Sequence, residues 1–210
     1  MDPKTYELLN SVPEHADYAV TAGDLDPEDI PPERIGAVLN LLRHTNNKEE
    51  HFLAAKLLTS WGLCEGLVAL EGDMEKNECI EGAYPHRLYG YDDTYHQIIL
   101  AVTRYFANVA DRGGTEAART QIYSPLSKII SLASSKPFEI AKIFDFVKRK
   151  NYLEYVPLIE VHLVAIIDHP ELHRWKIFDA IEFLMDFRPD FVLSLLQEKK
   201  KSIDDFRHVK

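Results

Sequence analysis

Only two cysteines, Cys64 and Cys79, occur in this 210-residue chain. Two thiols make no disulfide framework, and they read as ordinary thiols of a reducing compartment, so a cytoplasmic location is expected. No apolar run approaches the roughly 20 residues that span a bilayer. Residues 1–10, MDPKTYELLN, have neither a basic n-region nor an apolar h-region, so neither a secretory leader nor a membrane partner is expected. The phosphate-cradling patterns GxxxxGK(S/T) and GxGxxG are missing, as are HExxH, CxxC and GxSxG. The sequence thus offers no catalytic residue, no metal site and no cofactor signature.

Basic residues are scarce in the first part of the chain. Residues 1–93 carry 19 Asp and Glu against 7 Lys and Arg, while residues 94–210 carry 15 against 17, for a net charge of −10. Residues 14–33 hold seven acids (Glu14, Asp17, Asp24, Asp26, Glu28, Asp29 and Glu33) and no Lys or Arg. Such acidity excludes the basic footprint that nucleic-acid binding needs. A single-sign surface of this kind steers an oppositely charged partner, which points to a basic protein.

The periodicity is helical throughout. Asp2-Pro3 gives an N-cap and a proline at N1 for a helix to about Val12, and a short helix is expected over 14–21. GDLDPEDIPPE (23–33) cannot continue a helix. Pro32 opens the next, with Ile35, Val38, Leu39, Leu41 and Leu42 on its apolar face. Asn46-Asn47 turns the chain into KEEHFLAAKLLTSW, Gly62 suits the C′ position, and LCEGLVALEGDME follows. Downstream, helices are expected over TYHQIILAVTRYFANVADR, TEAARTQIY, SPLSKIISLAS (Ser-Pro at Ncap and N1) and from Pro137 onward. Three more cover NYLEYVPLIEVHLVAII, with strand as the runner-up, HPELHRWKIFDAIEFLMDF and PDFVLSLLQEKK. Residues 199–210 read as a frayed tail.

An offset of 126 residues superimposes two segments. Phe52 falls on Phe178, Ala54 on Ala180, Leu57-Leu58 on Phe183-Leu184, Trp61 on Phe187, Leu67 on Leu193 and Leu70 on Leu196. Each is a helix with a small inner residue that turns abruptly into a second apolar helix. This pattern resembles the HEAT-like family of α-helical repeats. The resemblance implies an all-α fold, a curved solenoid of antiparallel helix pairs filling 1–210 as one domain. The sequence departs from the family's pattern at 14–33 and 77–93, where long irregular segments interrupt it. An irregular helical bundle explains the same periodicity.

The most unusual stretch is YPHRLYGYDDTYHQ (84–97), which holds four of the ten tyrosines. His86, Asp92, Asp93 and His96 are metal-capable types. The aspartates and Thr94, however, stand where a helix begins, and Thr94 to Gln97 fits a capping box. The tyrosines and Arg87 need another explanation. Rigid rings with a polar tip suit a binding loop. His169 and His173 are spaced i, i+4, but His169 precedes Pro170 and reads as a cap rather than a ligand. Cys64, among Leu63, Leu67 and Val68, reads as a buried inert thiol.

These features favour a non-enzymatic binding protein, specifically an acidic inhibitor or immunity-type protein that blocks a basic toxin or nuclease. Asp24, Asp26, Glu28 and Asp29 would steer the partner, and Tyr84, Arg87, Tyr89, Tyr91 and Asp92 would contact it. The alternative is a regulatory adaptor or scaffold subunit. A HEAT-like enzyme is a third reading, but the glycosylase form needs a basic groove and the pigment-lyase form shows no motif here.

Overall fold

Short-range signals set most helix ends. In the computed structural model, which describes residues 1–76, 81–85 and 90–207, the Asp2 carboxylate accepts from the Lys4 and Thr5 N–H groups and starts α1 (Pro3–Asn10). Proline at N1 opens α2 (Pro32–His44). The Asn47 side chain caps α3 (Lys48–Ser60) through the Glu49 and Glu50 N–H groups. Gly62, at φ +77°, closes α3: its N–H donates to Thr59 O and that of Leu63 to Leu58 O, both at 2.9 Å. The chain re-enters helix at once in α4 (Cys64–Glu75). The later helices are α5 (Thr94–Asp111), α6 (Thr115–Ala133), α7 (Ala141–Lys150), α8 (Val156–Ile166), α9 (Pro170–His173), α10 (Trp175–Phe187) and α11 (Pro189–Glu198). The described residues form no strand, and none of their helices is long and apolar enough to cross a membrane.

Several expectations need correction. Residues 14–21 form turns rather than a helix, followed by 3-10 turns at Ala22–Asp24 and Pro27–Asp29. Ser124-Pro125 does not start a helix. Pro125 lies inside the continuous α6, although it cannot donate to Gln121 O. One apolar row along that helix, Ala118, Ile122, Leu126, Ile129, Ile130 and Ala133, is wholly buried and holds it together across the proline. Pro137 precedes residues without regular structure, and α7 starts only at Ala141. The expected helix from His169 is broken at Arg174, whose backbone has φ +48°. Cys64 is exposed, because its place in the first turn of α4 turns it away from the α3 contact.

The chain divides into two compact units, Met1–Pro125 and Leu126–Lys210, with the division falling inside α6. In the first unit α3 is the centre, touching α1, α2, α4, α5 and the Ala22–Asp24 turn. Its small residues Ala54 and Ala55 are fully buried. The closest approach is made by Gly66 of α4: a Cβ there would lie 2.5 Å from Thr59 N and 2.6 Å from Ala55 O. In the second unit α10 is the centre, touching α7, α8, α9 and α11. Ile159, Leu163, Ile166, Ile177, Ala180, Ile181 and Leu184 form its core.

The two central helices are the pair that the 126-residue offset superimposes. Ala54 and Ala180 are both fully buried, as are Leu58 and Leu184, and Leu70 and Leu196 are buried alike. Leu67 and Leu193 are not equivalent, since Leu193 is 52% exposed. Residues 199–207, expected to fray, carry Phe206 at 2% exposure. The Lys201 ammonium donates to Ile167 O and pairs with Asp168.

Gly66 and Gly72 supply an internal control on this packing. Alanine normally stabilises a helix interior by about 1 kcal/mol over glycine. Gly72→Ala, with nothing within 4 Å of its added Cβ, should follow that rule. Gly66→Ala should instead destabilise by about 2 kcal/mol, because α4 must move off α3. Urea unfolding of the two variants beside wild type checks both signs.

Candidate interaction surface

The acidic arm between α1 and α2 is bound to its own unit at several points. Ala22, Leu25 and Ile30 are buried. The Trp61 indole N–H donates to Ala22 O at 2.8 Å. Asp24 pairs with Arg104 of α5, and its other oxygen accepts from the Thr21 N–H and hydroxyl at 2.7 Å. Burial holds the Arg104 guanidinium below its usual pKa. The Tyr18 hydroxyl donates to Asp29 at 2.7 Å and accepts from the Asp26 N–H at 2.8 Å. That bond to Asp29 pushes the Tyr18 phenol above its ordinary value. His15 also sits 3.2 Å from Asp29. Of the four acids chosen from the sequence, Asp24 and Asp29 are thus engaged inside the chain, while Asp26 and Glu28 are exposed.

The tyrosine-rich stretch is closed at its base. Asp92 accepts from the Gly82 N–H and from the N–H and hydroxyl of Thr94. Thr94 Oγ accepts from the Tyr84 N–H at 2.9 Å, and the Asp93 N–H donates to Tyr84 O at 3.0 Å. The helix start lies one residue earlier than the capping box implies. Asp93 is the N-cap of α5, and the Gln97 amide donates to the Asp93 carboxylate at 2.7 Å. Tyr84 is half-buried, its ring 6.2 Å from Phe52, with the Lys56 ammonium 4.7 Å above it. Tyr91 is 54% exposed and Asp92 is exposed. Arg87 and Tyr89, like His86, lie outside the described residues.

The two segments meet one stripe of the first unit. Phe52, Lys56 and Ser60 form an i, i+4 row on α3. Gln97, Arg104 and Asn108 share a face of α5. Lys56 donates to Gln97 Oε1 at 2.8 Å, and Asn108 donates to Ser60 O at 2.6 Å. Tyr84 packs at the Phe52–Lys56 end. At the other end Gly23 approaches Ser60 and Arg104, with Ser60 Cβ 3.4 Å from the position of an added Cβ. Phe52 and Ser60 are separated by about 12 Å of helix rise. Sequence reasoning missed Trp61, Arg104, Lys56 and Tyr18, which hold this surface in place. A cation amid the apolar run of α5 (TRYFA) was an available signal, since a partly buried guanidinium calls for a counter-charge.

Little here suits catalysis. His51 lies beside Asp73 at 3.2 Å, in a cavity of about 140 Å³ that Phe52 and Ala83 also line. Asp73 raises the His51 pKa, and the ring also bonds to the Leu42 carbonyl. Through these contacts His51 ties α3 to α2 and α4. A second cavity, about 290 Å³ between α7 and α10, has Phe144 and Phe183 as its floor and Asp145, Asp179, Glu182, Asp186 and Lys148 around it. Burial pushes the Asp179 carboxyl up to about 6. No group of three or more metal-ligating side chains occurs among the described residues.

Comparison with protein-family models, curated proteins and solved structures finds no match.

Replacing Asp92 by alanine removes acceptors from Gly82 and Thr94 while leaving the Asp93 N-cap in place. The expected loss is about 1 kcal/mol, with faster amide exchange at Gly82 and Thr94 and unchanged exchange in the second half of α5. Site-resolved hydrogen exchange reads both.

Proposed function

We propose that the chain is a helical-repeat binding protein of HEAT-like type whose acidic arm and tyrosine-bearing stretch form one contact surface for a basic protein. The inhibitor or immunity-type role is the form of this reading that the charge and the missing catalytic signatures favour. One observation carries it: the arm is anchored from within, yet Asp26 and Glu28 face solvent. An acidic surface fixed before encounter avoids part of the ordering cost of association. Its field also accelerates the approach of a positive partner. The exposed Tyr91 ring and the half-buried Tyr84 lie on the same unit as that charge and supply apolar contact area. The HEAT-like reading is supported by the shared offset and by the equivalent central places of α3 and α10.

The test separates steering from architecture. The protein is immobilised, binding proteins are captured from its host at low salt, and association is measured for a captured basic protein. The double variant Asp26→Lys/Glu28→Lys should keep wild-type stability, since neither side chain is anchored. It should slow association about tenfold and flatten its salt dependence. An unchanged association rate, or capture of acidic proteins only, would contradict the proposal.

A further inference from the structure

The second unit contains a buried basic cluster that the binding surface does not use. His162 on α8 is 2% exposed, and His173, at the end of α9, is 1% exposed. Lys176, in the first turn of α10, is also buried, its ammonium 4.3 Å from the Trp175 ring centre. His162 Nδ1 lies 3.0 Å from Ser134 Oγ, a neutral partner. His173 Nδ1 has no hydrogen-bond partner among the described residues. His162 is close enough to His173 for each positive charge to oppose the other. The other groups facing His173 are Lys176 and His169, which oppose its protonation, and Glu171, which favours it but is well exposed. Glu139 and Asp179 act on Lys176 and not on the rings, and Arg174 opposes the Lys176 charge. The cluster holds three bases and no buried carboxylate. It is comfortable only while both imidazoles are neutral.

The backbone shows which part can yield. His162 sits in the middle of the 11-residue α8, and Lys176 belongs to the 13-residue α10. Neither can leave without unravelling a helix. His173 belongs to α9, which has four residues and no side-chain cap. Beyond it stands Arg174 at φ +48°, ψ −128°, a conformation that non-glycine residues adopt only under constraint. Letting α9 go relieves that backbone and carries His173 to water in one motion.

We propose that His173, backed by His162 and Lys176, is an acid-operated latch that releases the α9 turn from the core of the Leu126–Lys210 unit. Burial depresses both histidines, His162 to about 4 and His173 below its ordinary value. The sign follows from proton uptake. The open form binds protons that the closed form excludes, so the closed form is fully favoured above about pH 6.5 and loses ground as pH falls below it. Each histidine that charges on opening contributes up to a tenfold shift per pH unit. Opening uncovers the part of α10 that α9 covers and leaves the Met1–Pro125 unit folded. The latch is independent of the partner-binding reading.

Hydrogen exchange of the full chain at pH 7.5, 6.0 and 5.0, corrected for intrinsic rates, tests it. Protection of residues 168–178 should fall at least tenfold by pH 5.0, while α3 keeps its protection. His173→Gln, neutral at every pH, should abolish the fall. If that variant does not fold, the His173 ring resonance of the wild type gives the reading: it should titrate below the ordinary histidine value, together with the loss of protection. Three results would overturn the proposal: protection kept at pH 5.0, an equal loss in both units, or an unaltered loss in His173→Gln. So would a His173 ring that titrates at the ordinary value while protection persists.

Discussion

The Trp61 side chain closes the C-terminal end of α3 and is 1% exposed. Its indole N–H holds the arm at Ala22 O, and its own carbonyl accepts from Arg112, the C-cap of α5, at 3.0 Å. Arg34 of α2 stands 5.4 Å over the ring and donates twice to Leu8 O of α1. Gly62 then turns the chain into α4 at φ +77°, a backbone conformation that a side chain would strain. The arm, α2 and the end of α5 thus converge on one residue of α3's C-terminal cap, and α1 is joined to it through Arg34. Burying a large aromatic ring supplies on the order of 2–3 kcal/mol. The polar bonds around it fix direction, because each unmade bond would leave a buried donor or acceptor unsatisfied. The acidic arm keeps its shape because it is tied to this corner.

The same chemistry explains how much of the fold was legible in the sequence. Caps and closers such as Asp2, Asn47, Gly62 and the prolines at N1 act over three or four residues, so their reading survived. The core rows of α3 and α10 were legible from period and small residues. What failed was decided at long range. Pro125 stays inside α6 because a buried row outweighs one missing hydrogen bond. Residues 14–21 give up helix because Tyr18 is drawn to Asp29 and to the Asp26 N–H. The α9–α10 break at Arg174 stands beside the buried His173, and no local pattern announces either. In the candidate surface, acidity and tyrosine content singled out two segments that lie on one unit. They did not reveal that Asp24 would be bound by an arginine 80 residues away in sequence.

Polar groups serve the two units in opposite ways. In the first, carboxylates meet cations or hydroxyls: Asp24 meets Arg104, Asp29 meets Tyr18 and His15, and Asp73 meets His51. These pairs brace an acidic exterior against its own repulsion. In the second, His162 and His173 are buried with no buried carboxylate facing them, and Lys176 stands beside His173. The first arrangement favours a fixed surface and the second a conditional one.

The Trp61 corner holds the acidic arm preformed, and amide exchange of the free protein measures this. The Asp24 and Asp29 N–H groups donate to Thr21 O and Asp26 O, and the Asp26 N–H donates to the Tyr18 hydroxyl. A preformed arm predicts that these three amides exchange far more slowly than free peptide. Trp61→Phe, which keeps a ring but loses the indole donor, should release them together. Exchange at free-peptide rates in the wild type, or protection unaltered in Trp61→Phe, would contradict the account.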